Sequence, residues 1–269
     1  AMLHSVADIS GLNRITRRLL AQAARAVVAM AAEPPAAETP DRELVAITQA
    51  GITTPGVMAV KERLENLGFE VVAFHCNGIG GQAMEELIAQ GVICGLIDFS
   101  PHEITDLLFG GLMPAAPDRM KAAGLAGIPQ VVVPGCTDIR LHGVGDELPP
   151  DVRGRACVQH SPTHTHVRTT PEEMDHVARF IAARLNEGTG PRASVIPLRG
   201  YSMLNRQGHP LYDEAANMAY VLTMRRELKP EVRQVEVDAH INDPEFADIV
   251  VDTFMKLRGE ADKAAKSAG

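Results

Sequence analysis

The sequence predicts an α/β domain: a doubly wound, mainly parallel sheet of about seven strands in three α/β/α layers, preceded by a long N-terminal helix. Three observations carry that prediction. From Arg42 onward, short β-branched runs alternate with longer amphipathic segments. The short runs are apolar almost throughout, as strands covered on both faces are, rather than alternating. Helix starts carrying Pro at the first position recur after the strands, at Thr54-Pro55, Ser100-Pro101, Thr170-Pro171 and Asp243-Pro244. A closed eight-fold barrel needs an eighth strand and a more regular spacing than this chain has.

The first helix is expected from about Ser10 to Ala32, with Leu12, Ile15, Leu19, Ala23, Ala26 and Met30 on one stripe. Glu33–Pro40 reads as a linker. Leu44–Thr48 is the first strand, and Thr54 caps a helix whose buried face is Val57, Val60, Leu64 and Leu67. Glu70–His75 is the second strand, followed by a glycine loop and a helix to Gln90. Ile93–Phe99 is the third, and Ser100-Pro101-His102-Glu103 reads as a capping box for the next helix. A further helix covers Pro117–Ala126, and Gln130–Val133 is the fourth strand. Cys136–Asp151 reads as a long irregular loop and Arg155–Gln159 as the fifth strand. The capping box Thr170–Glu173 opens a helix buried through Met174, Val177, Ile181 and Leu185. Ala193–Leu198 and Val232–Val237 are the last strands, and the final helix is expected to end near Leu257. The arrangement is Rossmann-like: residues 1–40 form the connecting helix and linker, 41–258 the domain, and 259–269 a frayed tail.

Composition narrows the function. The net charge of -8, the low aromatic content and the lack of Trp disfavour a nucleic-acid surface. No apolar run has the length of a membrane span. Cys76, Cys94, Cys136 and Cys157 form no C-x-x-C pair, which fits reduced, cytoplasmic usage.

Ligands of open α/β sheets bind outside the carboxyl ends of the strands. Those ends deliver Gly51, Thr53 and Thr54; Asn77, Gly78, Gly80 and Gly81; Asp98 and Ser100; Gly135 and Cys136; and Arg199, Gly200 and Ser202. The glycine loop, followed by a helix start, suits a phosphate or carboxylate through backbone N–H groups. His240 ends the last strand, and with Asp98 it is the expected proton-handling residue. His160, His164 and His166 invite a metal, but no tight H-x-x-x-H or paired-cysteine set accompanies them, so no metal is expected. Cys136 has no assigned base that would make it a nucleophile. The chain has neither a P-loop nor the acidic residue that a complete dinucleotide fingerprint requires.

Several segments resemble a known family. They are Thr48–Val57, the loop through Gly80-Gly81-Gln82-Ala83-Met84-Glu85, Pro129–Gly135, Arg168–Glu173, Pro197–Gly200 and Asp238–Pro244. Together, from about Val6 to Leu257, they resemble the C-terminal half of the tobamovirus-resistance-protein-like ATP-binding family, whose microbial members are largely uncharacterised. The resemblance implies two Rossmann-like domains in a complete protein, with the N-terminal one missing here as a partner. It also implies an ATP or related phosphate ligand, held at Gly78, Gly80, Gly81, Thr53, Thr54 and Pro55. Plant relatives bind ATP and inhibit a viral replication protein, and some relatives are fused to a barrel. Cys76-Asn77, the run Cys136–His142 and the His164/His166 pair depart from the usual pattern.

The functional expectation is therefore a nucleotide- or phosphometabolite-binding domain of a cytoplasmic two-domain protein, without nucleic acid or membrane as partners. Two alternatives stand beside it. One is an enzyme acting on a small acidic metabolite at a cleft shared with the missing domain. The other is an assembly module, a homo-oligomer built through the first helix.

Overall fold

The computed structural model describes residues 12–32, 42–145 and 148–268. The expected linker and the start of the first helix lie outside these residues. The chain divides into two compact units at Asp41/Arg42.

In the first unit, α1 (Arg14–Ala32) is capped by Asn13, whose Oδ1 accepts from the Ile15 and Thr16 amides. Its apolar residues Ile15, Leu20, Val27, Val28 and Met30 are exposed, as is Leu12 just before it.

The second unit runs β1 (Leu44–Gln49), α2 (Thr54–Asn66), β2 (Glu70–His75), α3 (Ile79–Ala89), β3 (Gly95–Asp98), α4 (His102–Phe109), α5 (Ala122–Ala126) and β4 (Gln130–Val132). It continues through β5 (Ile139–His142), β6 (Cys157–Gln159), β7 (Thr165–Arg168), α6 (Pro171–Glu187), β8 (Arg192–Pro197), α7 (Glu214–Glu227), β9 (Arg233–Val237) and α8 (Pro244–Ala268). Six strands form one parallel sheet in the order β2-β1-β3-β4-β8-β9.

Alternate residues of each central strand feed opposite layers. Val45, Ile47, Ile97, Val131 and Val195 pack on α2 and α8, with Val57, Leu64, Phe246 and Phe254. Ala46 and Leu96 face α3 and α5 through Met84, Ile88 and Ala123. Val132 and Ile196 face α6 and α7 through Met174, Ile181, Tyr220 and Met224. The result is a three-layer, Rossmann-like α/β fold.

Three readings from sequence are corrected. The sheet has six strands, because the run expected as its fifth belongs to a separate antiparallel sheet, β5-β7-β6. Of that sheet, β5 lies within the stretch expected to be an irregular loop, and β5 and β7 carry buried polar residues such as Arg140, His142, His166 and Arg168. The final helix, expected to end near Leu257, runs to Ala268, and Arg258 pairs with Asp262 along it (3.0 Å). No helix among the described residues is long and apolar enough to cross a membrane.

Candidate functional site: a histidine-lined cleft at the carboxyl edge

The strand order reverses between β1 and β3, since β1 leads through α2 to β2 on one side and β2 leads through α3 to β3 on the other. Open α/β sheets leave a crevice at such a switch point, outside the strand ends. Two features border it, the glycine loop after β2 and a cleft beneath the small antiparallel sheet.

The glycine loop already holds an anion, and that anion is the protein's own. Glu103, fully buried on α4, accepts the Gly78 N–H through Oε2 (2.5 Å) and Arg119 Nε through Oε1 (2.5 Å). Arg119 closes a bidentate pair with Asp98 (2.7 and 2.9 Å) and reaches Glu85 Oε1 at 3.1 Å. Burial opposes the charge on Arg119, but the three carboxylates together push its pKa above the ordinary arginine value. Two glycines are explained by packing alone. A Cβ on Gly81 would lie 1.8 Å from Glu103 Oε1, and one on Gly80 would lie 2.0 Å from the His75 carbonyl oxygen. Asn77 turns back to accept the Gly80 N–H (3.0 Å). Glu103 therefore serves the loop instead of capping its own helix, whose Ser100 makes no side-chain cap.

The other residues expected at the edge are mostly structural in their contacts. Asp98 is buried, holding Arg119 and the Thr48 hydroxyl (2.9 Å), which leaves it outside the cleft rather than poised for proton transfer. Thr53 and Ser100 share a buried hydroxyl contact at 2.7 Å, and Thr54 accepts from Gln49 Nε2 (3.1 Å). Gly135 packs on the Phe99 carbonyl. Cys136 has φ +58, and burial drives its thiol well above the usual range, as it does for Cys76, so neither is poised as a thiolate. Ser202 donates to Asp138 Oδ2 (2.7 Å). His240 Nδ1 accepts the Asn242 N–H (3.2 Å), which leaves Nε2 to donate to the Ser202 carbonyl (2.8 Å). Both ring nitrogens are occupied by backbone, and burial holds the ring below the usual histidine pKa. His240 and Arg199 border a separate polar hollow of about 530 Å³ beyond β8 and β9, while Arg199 forms an exposed pair with Asp238, and Gly200 abuts the Asn205 carbonyl.

The cleft itself has a volume of about 180 Å³. Its walls are Ala50-Gly51-Ile52 after β1, His75 and Cys76 at the end of β2, His102 at the start of α4, Met113, Ile139 and Leu141 of β5, and His160, His164 and His166 around β7. Of the residues expected to bind a ligand, Gly51 alone lines it. His102 and Met113 were missed because their part of the wall is assembled by tertiary packing. The readable signal was period-two alternation, Ile139/Leu141 and His164/His166, within a stretch that otherwise resembles a loop.

Asp106 organises one wall. Its carboxylate accepts the Leu141 N–H (3.0 Å) and the Met113 N–H (3.0 Å), fixing two lining residues, and lies 3.5 Å from His102 Nε2. The other nitrogen of His102 donates to the Cys136 carbonyl (3.1 Å). Both partners are acceptors, so the protonated ring fits best. Burial opposes that charge, but Asp106 outweighs it and raises the pKa of His102, while burial likewise works against the lowered pKa that His102 imposes on Asp106.

His166 is the opposite case. It is 7% exposed, its Nδ1 has no partner among the described residues, and its ring stacks on His160 with centroids 4.5 Å apart. Burial first, then the neighbouring His160 and His102, push its pKa down to about 4. His164 Nδ1 lies 3.2 Å from the Thr163 hydroxyl and 3.3 Å from that of Ser161. Gly51 and Ile52 open a 3-10 turn, so their N–H groups precede its first bond, from the Thr53 N–H to the Ala50 carbonyl (3.0 Å). No group of three or more His, Cys, Asp or Glu side chains among the described residues has the arrangement to hold a metal ion. The cleft thus offers imidazoles and backbone donors, with no carboxylate among its lining residues.

Residues 42–258 match the domain described as "Uncharacterised protein family (UPF0261) C-terminal domain", and residues 1–36 match that family's N-terminal domain. A UPF0261 protein of Rhizobium meliloti is 38% identical over 258 residues, covering 95% of this chain and 64% of that protein. One of Clostridium tetani is 38% identical over 247 residues, covering 91% and 61%. The chain therefore spans about three-fifths of the length of these bacterial relatives. The ToMV resistance protein Tm-1(GCR237) of Solanum lycopersicum is 34% identical over 260 residues, covering 94% of this chain and 34% of that protein. The chain belongs to the UPF0261 family.

Proposed function

We propose that this chain is the binding domain of a larger protein and that its ligand is a small phosphorylated or carboxylate metabolite, held in the histidine-lined cleft. The observation that carries this reading is a cavity walled by five imidazoles at the switch point of the sheet. Imidazoles and the opening N–H groups of a helical turn are donors suited to an oxyanion. The nearby glycine loop is a poorer seat, because Glu103 occupies it. An ATP-like ligand belongs to the same class. A cavity of about 180 Å³ would take its phosphate end and leave the rest outside, since pockets that enclose drug-sized ligands run to ~300–1,000 Å³.

Mass spectrometry of small molecules released on denaturation would identify a retained ligand. Calorimetry with ATP, ADP, inorganic phosphate and oxalate then tests the class. If none binds more tightly than about millimolar, or roughly -4 kcal/mol, the reading fails. The charged His102 beside Asp106 favours a second reading, in which the cleft also performs proton transfer on a small acid. A His102→Asn protein that folds and keeps full turnover of an identified substrate would remove that reading. Assembly of a cytoplasmic homo-oligomer through the exposed apolar residues of α1 is a further proposal, testable by light scattering with and without residues 1–40.

A further inference from the structure

We propose that the stacked pair His160 and His166 recognises the ligand's oxyanion by taking up one proton from solvent as the ligand binds. This rests on the reading of the cleft as the ligand site and adds the means of recognition. The pair sits where β7 and the end of β6 roof the cleft, and both rings line it. His166 is more than nine-tenths buried, lines the cleft, and carries a ring nitrogen, Nδ1, with no partner among the described residues.

The surroundings decide when the ring can charge. His164 faces it from its own segment, and His102 and Asp106 face it from α4. On β5 its register partner is Leu141, with His142 next along the strand, and on β6 the partner is Val158. His75 lines the same cleft from β2. Asp106 is the carboxylate in this set, and its charge is engaged by His102. Burial depresses the pKa of His166 first and the neighbouring His160 and His102 next, and no unshared anion among these groups offsets them. A bound oxyanion supplies that counter-charge. The proton adds to a ring nitrogen, the resulting N–H donates to the ligand oxygen, and no covalent bond in the ligand changes. With the two rings stacked at 4.5 Å between centroids, like charges would repel, so the pair is expected to take up one proton per ligand rather than two.

The test uses the full chain with sulfate, which stays fully ionised across the range probed, and with oxalate, whose own protonation near pH 5 is subtracted using a blank titration. Calorimetry from pH 7.5 to 5, in buffers of different ionisation enthalpy, counts protons. The expected result is uptake of one proton and up to tenfold tighter binding per pH unit once the pH drops below the pKa of the bound state. His166→Phe, which keeps a ring against His160, should bind with little pH dependence. Should that variant misfold, imidazole NMR of the unaltered chain reads the same quantity, as a rise in the His166 pKa on adding sulfate. Binding at the Gly51–Ile52 amides with a constant Kd and no proton uptake would overturn this inference while leaving the cleft as the site. No binding there by either anion at any pH would overturn both.

Discussion

The glycine loop and the histidine cleft leave the same strand end two residues apart. His75 and Cys76 line the cleft, and Gly78 gives its N–H to Glu103. In the loop, donors and carboxylates are matched internally around Arg119, and the glycines exist to let Glu103 and the His75 carbonyl approach. In the cleft, matching stops short: Asp106 and His102 satisfy each other, but His166 carries a buried nitrogen without a partner among the described residues. Polar groups at a strand edge are thus not equivalent evidence for a ligand. Those already paired hold the fold together, and an unpaired group points to a ligand only where it also lines a cavity, as His166 does.

The largest effect should come from the loop. Glu103→Ala takes the buried acceptor from the Gly78 N–H and from Arg119 Nε, while Arg119 keeps Asp98 and Glu85, and two orphaned buried donors should cost about 3 kcal/mol in urea unfolding. A loss under about 1 kcal/mol would mean that the loop does not depend on its internal anion. The next comparison is between two glycines. Gly81→Ala meets Glu103 and should lose about 1–3 kcal/mol or more. Gly51→Ala meets nothing within 4 Å and should unfold within about 0.5 kcal/mol of the parent. Equal losses at the two positions would erase the distinction between a filled loop and an open cleft.

Histidine titration gives a smaller effect, with opposite signs in the two rings. The folded-state pKa of His166 is depressed to about 4. Its contribution is present above the unfolded-state value near 6.5 and is lost as pH falls from there toward 4, by at most about 1.4 kcal/mol per pH unit. His102 has a raised pKa, so its contribution is present below that unfolded value and is lost as pH rises through the folded one. Stability of His166→Phe should therefore decline less between pH 6.5 and 4.5 than that of the parent, and an identical slope would contradict the depressed titration. The smallest effect belongs to Arg199→Ala. Its pair with Asp238 is exposed, so no measurable change in stability is expected, and a large one would reveal a contact beyond that pair.

How much was legible from sequence follows the same division. β1, β2, the helices after them and the capping box at Thr170 were readable, because apolar runs and caps are local signals. The antiparallel sheet was readable only at β6, where a strand was expected but in the main sheet. β5, β6 and β7 are three or four residues long, and buried Arg140 and Arg168 find their partners, Glu173 and Asn217, far away in sequence. A hydrophobic pattern cannot mark a strand whose inward side chains are charged. The glycine loop was found but its occupant was not, since Glu103 reads locally as part of a capping box and reaches Gly78 only through the fold. His160, His164 and His166 were noticed as a group, yet their purpose depends on His102 and Asp106, which come from a different element.

Chemical-shift mapping of the chain with ATP, oxalate and sulfate tests the central claim, that ligand binds the histidine cleft and not the glycine loop. The prediction is that amide shifts centre on Gly51 and Ile52 and imidazole shifts on His160, His164 and His166, while Gly78, Gly80 and Gly81 stay unmoved. Shifts centred on Gly78–Gly81, with the histidines silent, would contradict it.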